Sequence, residues 1–197
     1  LVDARPFRRV SVIRYEYYWA WANHYSSESL LFLTDARDAY FQGDPMEAAL
    51  HNNDLSSNNG TLIFFEEAAK IGDSKANLKW IEKTYSPELA RAMQEHMVIC
   101  SGTSLGFQPT IETYARAMVH EFDQTKCRRC ANKHDQCFHN YLIHQNHPNQ
   151  QNLNIYLGYH HYQRHLHQHH HNLLVQYSLL HHFQIRKHLS YQVVSVV

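Results

Sequence analysis

The chain has 197 residues, with 18 basic side chains, 18 acidic side chains and 18 histidines, so its formal charge is zero when histidine is neutral. That balance gives no electrostatic case for a nucleic-acid partner, and no apolar run reaches the roughly 18 residues of a membrane span. No signal-peptide pattern opens the sequence, and Leu1 in place of methionine leads to the expectation of a fragment or a processed product. The length suffices for one or two domains.

In chain order, aromatic and apolar residues at positions 15, 18, 19 and 22 follow helical spacing and predict a helix over about 13 to 25 that packs on a sheet. Leu30-Leu31-Phe32-Leu33 is short and uncharged, as suits a strand of a parallel sheet buried on both faces. It runs into three carboxylates, Asp35, Asp38 and Asp44, closed by Pro45. The carboxyl end of such a strand is where α/β folds place ligands. Acids there can hold a divalent cation through hard oxygen ligands. They can equally cap a helix or make a turn, as Gly43-Asp44-Pro45 does by composition alone.

Residues 46 to 50 predict a short helical turn, 51 to 60 a polar loop, and Leu62-Ile63-Phe64-Phe65 the next strand. Glu66 and Glu67 fit a ligand-facing edge or, the preferred reading, the start of a helix. Helices are expected over 77 to 84 and 87 to 95, the second with Ser86 as N-cap and Pro87 as first helical residue, and Trp80 reads as core. Met97-Val98-Ile99-Cys100 is a further apolar run ending at Ser101-Gly102-Thr103, either an ordinary tight turn or a place of close backbone approach to a ligand. Residues 110 to 122 carry an amphipathic helical pattern. Asp135-Gln136 then lead into a helix over 137 to 144, and Asp135 by itself reads as its cap.

Composition changes sharply after this point. Fourteen of the 18 histidines lie between His134 and His188, and no Asp or Glu occurs from Gln136 to the end. The expected organisation is therefore a domain over 1–144 and a low-complexity His-rich tail over 145–197, disordered or translated from a non-native frame. Its imidazoles would bind metals weakly. Among the four cysteines, Cys127, Cys130 and Cys137 with His134 supply enough ligands for a tetrahedral zinc. Their spacing matches no zinc-knuckle pattern and a second C-x-x-C pair is absent. Free thiols are thus the preferred reading, with a disulfide from Cys127 to Cys130 or Cys137 second.

Thr34-Asp35-Ala36-Arg37-Asp38, Tyr40-Phe41-Gln42 and Asp44-Pro45 together resemble the signature of a nucleotide-diphospho-sugar transferase-like family with a GT-A type fold. The likeness continues in order through Asn77 with Trp80-Ile81, Val98 to Thr103 with Gly106, Tyr114 and Met118, and Asp135-Gln136 with His139-Asn140-Tyr141-Leu142, covering about 14 to 144. The resemblance implies an incomplete α/β, GT-A-like (Rossmann-like) fold, a mostly parallel sheet flanked by helices. It implies transfer of a sugar from a nucleoside-diphosphate donor to a hydroxyl acceptor, with Mn²⁺ or Mg²⁺ held by Asp35 and Asp38. Asp135 and Gln136 would be catalytic or acceptor-orienting, and Arg37, Ser101, Gly102, Thr103, His139 and Asn140 would line the donor or acceptor. By the same analogy the compartment would be the secretory pathway.

The likeness stops near His144, where Tyr162-Gln163-Arg164-His165 only echoes the family's last block and no carboxylate remains to complete a site. Only 29 residues precede the strand at Leu30, where roughly 70 to 100 would be expected for the first part of a nucleotide-binding sheet, given the ~30-residue minimum of one βαβ unit. The competing expectation is therefore a catalytically inactive, truncated remnant that at most binds metal through its histidines and cysteines.

Overall fold

The computed structural model describes residues 9–35, 46, 61–125 and 134–145, and the backbones of strands at 154–158 and 191–196. Helix α1 is Val10–Ala22 and strand β1 is Leu30–Asp35. Strand β2, Thr61–Lys70, passes through a single 3-10 turn into helices α2, Lys75–Thr84, and α3, Pro87–Met93. Strand β3 is Met97–Phe107, followed by helices α4, Gln108–Gln124, and α5, Asp135–His144. Strands β4, Asn154–Gly158, and β5, Tyr191–Val196, complete the set.

The five strands form one sheet in the order β4-β2-β3-β1-β5. The α/β class is as expected, but the sheet is not mostly parallel. Its three central strands are antiparallel, β1 to β3 from Leu30↔Phe107 to Thr34↔Thr103, and β2 to β3 from Leu62↔Gly106. Parallel pairing occurs only at the two flanks, β2 with β4 and β1 with β5. A short apolar run has the same composition whichever way its neighbour points, so direction was not readable from it.

Both faces of the three central strands carry apolar clusters. Leu31, Leu33, Leu62 and Phe64 join the main core under the helices, with Tyr15, Tyr18, Ile111, Tyr114, Met118, Phe122 and Phe138. Leu30, Phe32, Ile63 and Leu105 face the other way and pack with Met46. The period-2 alternation of a strand thus sends successive apolar residues into separate clusters.

Three local expectations change. Glu66 and Glu67 do not start a helix, because β2 continues through both to Lys70. Helix α1 starts and ends three residues earlier than its aromatic spacing suggested, and the chain between α1 and β1 turns through backbone bonds from His24 to Trp21, Tyr25 to Ala22 and Ser29 to Ser26. Ser101-Gly102-Thr103 is not a turn but the middle of β3. The helix boundaries otherwise follow sequence chemistry. Ser86 accepts from the Leu89 N–H with Pro87 in the first turn, and Ser74 does the same for Asn77.

Candidate functional site

The antiparallel pairing of β1 with β3 covers only the second half of β3, because β1 reaches Thr103 and ends at Asp35. Beyond that end, helix α5 takes the strand's place. The Gln136 side chain accepts from the Ser101 N–H at 3.0 Å, and its amide N–H donates to the Ile99 carbonyl. Asn140 accepts from the Ile99 N–H at 2.9 Å and donates to the Ile99 carbonyl at 3.1 Å. The His144 Nε2 meets the Met97 carbonyl at 2.9 Å. Residues four apart on a helix rise about 6 Å and residues two apart on a strand about 6.8 Å. Positions 136, 140 and 144 can therefore serve 101, 99 and 97 in antiparallel sequence.

Arg14 sits where the two arrangements meet. From α1 its guanidinium forms an ion pair with Asp35 at the end of β1 and another with Asp135 in the first turn of α5. It also donates to the Ser101 carbonyl at 3.2 Å. Tyr15 reinforces the same carbonyl with its hydroxyl at 3.1 Å. The side chains of Arg14 and Asp135 are 9% and 10% exposed, whereas that of Asp35 is 44% exposed. Burial opposes the charge on Arg14, yet Tyr15, Asp135 and Asp35 around it hold its pKa above the ordinary arginine value. One cation against two carboxylates leaves the triad with a net charge of −1.

Gly102 lies beside Asp35, and a Cβ there would stand 2.6 Å from Asp35 Oδ2. The glycine thus accommodates a close side-chain approach across the strands, and no unusual backbone angle in a turn is involved.

A second polar group lies deeper. The Tyr114 hydroxyl is 2.6 Å from His139 Nδ1 and 3.4 Å from the Tyr15 hydroxyl. His139 is fully buried, edge-on to Phe64 and Tyr114, and its Nε2 has no hydrogen-bond partner. Burial first, then the charges of Arg14 and His144, push its pKa down to about 3. Burial likewise holds the Tyr114 phenol above its usual value. The group is neutral.

Of the expected site residues, the structure brings Asp35, Ser101, Gly102, Asp135 and Gln136 together around Arg14. Asp135 does not cap α5 but turns to Arg14. His139 and Asn140, expected to line a ligand, are fully buried: Asn140 bonds α5 to β3, and His139 bonds it to Tyr114 of α4. Thr103 is half-buried and pairs with Thr34. Arg37 and Asp38 lie outside the described residues, as do Cys127 and Cys130 of the zinc set. His134 stacks on Trp80 at 4.3 Å, and Cys137 is a buried free thiol raised to about 12 by its burial.

Arg14 was the residue missed. Its signal was its place between Val12, Tyr15 and Tyr18 on the buried face of α1, since a buried arginine needs carboxylate partners.

Among the described residues, no three His, Cys, Asp or Glu side chains are grouped to share a metal ion, and no helix is long and apolar enough to cross a membrane. Asp35 is a half-exposed carboxylate at a strand end, of the hard-oxygen type a divalent cation takes, but it is the one such ligand described there and Arg14 already pairs with it. Comparisons with protein-family models, curated proteins and solved structures found no match to this chain.

Proposed function

We propose that the Asp35 centre is the cation-binding site of a nucleotide-sugar transferase-like domain, which transfers a sugar from a nucleoside diphosphate to a hydroxyl acceptor. The observation that supports it is the meeting of Asp35 and Asp135 on one buried guanidinium beside Gly102. The resemblance of the sequence assigns the first acid to the metal and the second to the acceptor. With a net charge of −1, this centre repels a diphosphate directly and attracts a cation, so an anionic donor reaches it only across a bound metal.

Mn²⁺ or Mg²⁺ would supply Lewis-acid stabilisation of the departing diphosphate when bound. Asp35 is the described residue that would hold it, with Asp38 as the second ligand the sequence offers. Asp135 is fixed in orientation by Arg14, and Gln136 by the backbone of β3, so both are held rigidly beside the site.

A second reading has its own support. Arg14 is buried and satisfied by both acids, which suits a structural staple joining α1, β1 and α5 with no chemistry attached. Thermal stability during titration with Mn²⁺ plus a nucleoside diphosphate separates the two. A rise in Tm that an Asp35→Ala, Asp38→Ala double substitution abolishes supports the transferase site. An equal rise in both proteins rejects it.

A further inference from the structure

The three side chains by which α5 serves β3 differ in one property. Gln136 and Asn140 are amides and keep the same charge at every pH, whereas His144 is an imidazole. A carbonyl only accepts, so the bond to Met97 fixes His144 with a proton on Nε2 and its lone pair on Nδ1. A second imidazole lies flat against it. The His96 ring, just ahead of β3, is 4.5 Å away between centroids and within 17° of parallel. The lone pairs of two stacked rings lie in separate planes, so the pair is not arranged to chelate one ion. What it can do is change charge, because histidine is the side chain that titrates between about pH 5 and 8.

The surroundings oppose that charge. His144 is half-buried and His96 is exposed. Three elements pack against α5. From α4, Glu121 is bonded to Tyr85, and Tyr114 to the neutral His139. Helix α2 meets α5 through Trp80 and Thr84, at His134 and Cys137. On β3, the Cys100 thiol feels Glu67 and Asp35, and beside His96 the Glu95 carboxylate is paired with Lys70. None of these carboxylates bears on His144, which responds to its burial, the Met97 carbonyl and His96. Burial, with the like charge of His96 and against the pull of the carbonyl, holds its pKa below the ordinary histidine value.

We propose that His96 and His144 form a pH-sensitive latch on the end of α5. While both rings are neutral they stack and the helix end is held on Met97. When both are protonated, two cations face each other at stacking distance and the last turn of α5 leaves β3, while Gln136 and Asn140 keep the start of the helix in place. Because the folded pKa of His144 lies below that of an unfolded histidine, the latch is fully closed above about pH 6.5 and loosens as pH falls below it. It acts where the chain leaves α5 toward β4, and it does not depend on the role of Asp35.

The test is amide hydrogen exchange on the full chain at pH 7 and pH 5, each rate divided by the intrinsic rate at that pH. The Gln145 N–H, bonded to the Tyr141 carbonyl, reports the last turn, and the Ile99 and Ser101 N–H groups report the fold as a whole. Protection at Gln145 should fall by about fivefold or more on acidification, the size expected for two unit charges 4.5 Å apart in water. His96→Gln removes one cation and keeps the bond to Met97, and His144→Gln keeps a donor for that carbonyl but does not titrate. Each should largely abolish the fall at Gln145 and leave the acid response of Ile99 and Ser101 as it is in the parent. A fall at Gln145 that survives either substitution overturns the latch, as does no fall in the parent. Equal recovery at Ile99 and Ser101 also overturns it, by making the pair part of global acid stability. His96 is exposed, so its variant decides the matter if circular dichroism finds His144→Gln misfolded.

Discussion

The two halves of β3 are held along the same edge by different means. Its second half pairs with β1 through an ordinary antiparallel ladder, Thr34↔Thr103 to Leu30↔Phe107. Its first half is served by side chains from α5, two amides and an imidazole reaching Ser101, Ile99 and Met97. A ladder between strands needs no particular side chains, whereas a helix can imitate one only with polar groups at the right spacing. The polar residues of α5 are therefore committed to structure along most of its inner face. The seam between the two halves is the part of this edge left open, with Asp35 half exposed there.

Breaking the seam should cost most. Arg14→Met leaves two carboxylates without their cation, and loss of one member of a buried ion cluster costs about 3–5 kcal/mol. Calorimetry should find a large fall in Tm, partly restored by adding Asp35→Asn and Asp135→Asn. A variant as stable as the parent would mean that the guanidinium is not buried against both acids.

Breaking the helix-served half should come next. Asn140→Leu strips the Ile99 N–H of its partner and leaves the Ile99 C=O to Gln136 alone, for a loss of about 1–3 kcal/mol in urea unfolding. The matching change on the strand-served half, at Thr34, removes no backbone partner and should cost less.

Acid distinguishes the neutral group from the charged seam. His139 has a folded pKa of about 3, well below the roughly 6.5 of an unfolded histidine. The unfolded chain thus binds more protons between those values, and stability is full above about pH 6.5 and falls as pH drops toward 3. The slope is about 1.4 kcal/mol per pH unit, or about 2 kcal/mol by pH 5. His144, whose pKa is also lowered by burial, adds in the same direction. Urea titrations at pH 7 and pH 5 should therefore diverge less in a His139→Phe protein. An identical divergence would mean that His139 is protonated in the fold.

The smallest effect belongs to Gly102→Ala. Its Cβ would overlap Asp35 Oδ2 at 2.6 Å, and an exposed carboxylate can swing aside, so the cost should be about 1 kcal/mol.

Much of this was legible in the sequence. The amphipathic pattern of 110–122 became α4, Ser86-Pro87 opened α3, and the apolar run at Leu30 became a strand that ends at its first acid. These are local signals with local causes. Strand direction was not legible, since a run of leucines carries no mark of its neighbour's sense. Nor was the length of β3: Ser101-Gly102-Thr103 looks like a turn by composition, but the chain stays extended because β1 and α5 divide its edge between them. Arg14 was hidden because its partners, Asp35 and Asp135, lie 21 and 121 residues away. The candidate site was thus readable as separate acids and small residues, and the cation joining them was not.

The flanking strands have one more consequence. β4 and β5 both come from the acid-free part of the chain, yet they attach to opposite sides of the antiparallel trio, at β2 and at β1. A truncation after residue 145 would strip the outer rails from both margins at once. The bared amides and carbonyls of two apolar strands would then be open to other molecules, so such a shortened protein should self-associate through its sheet as its concentration rises.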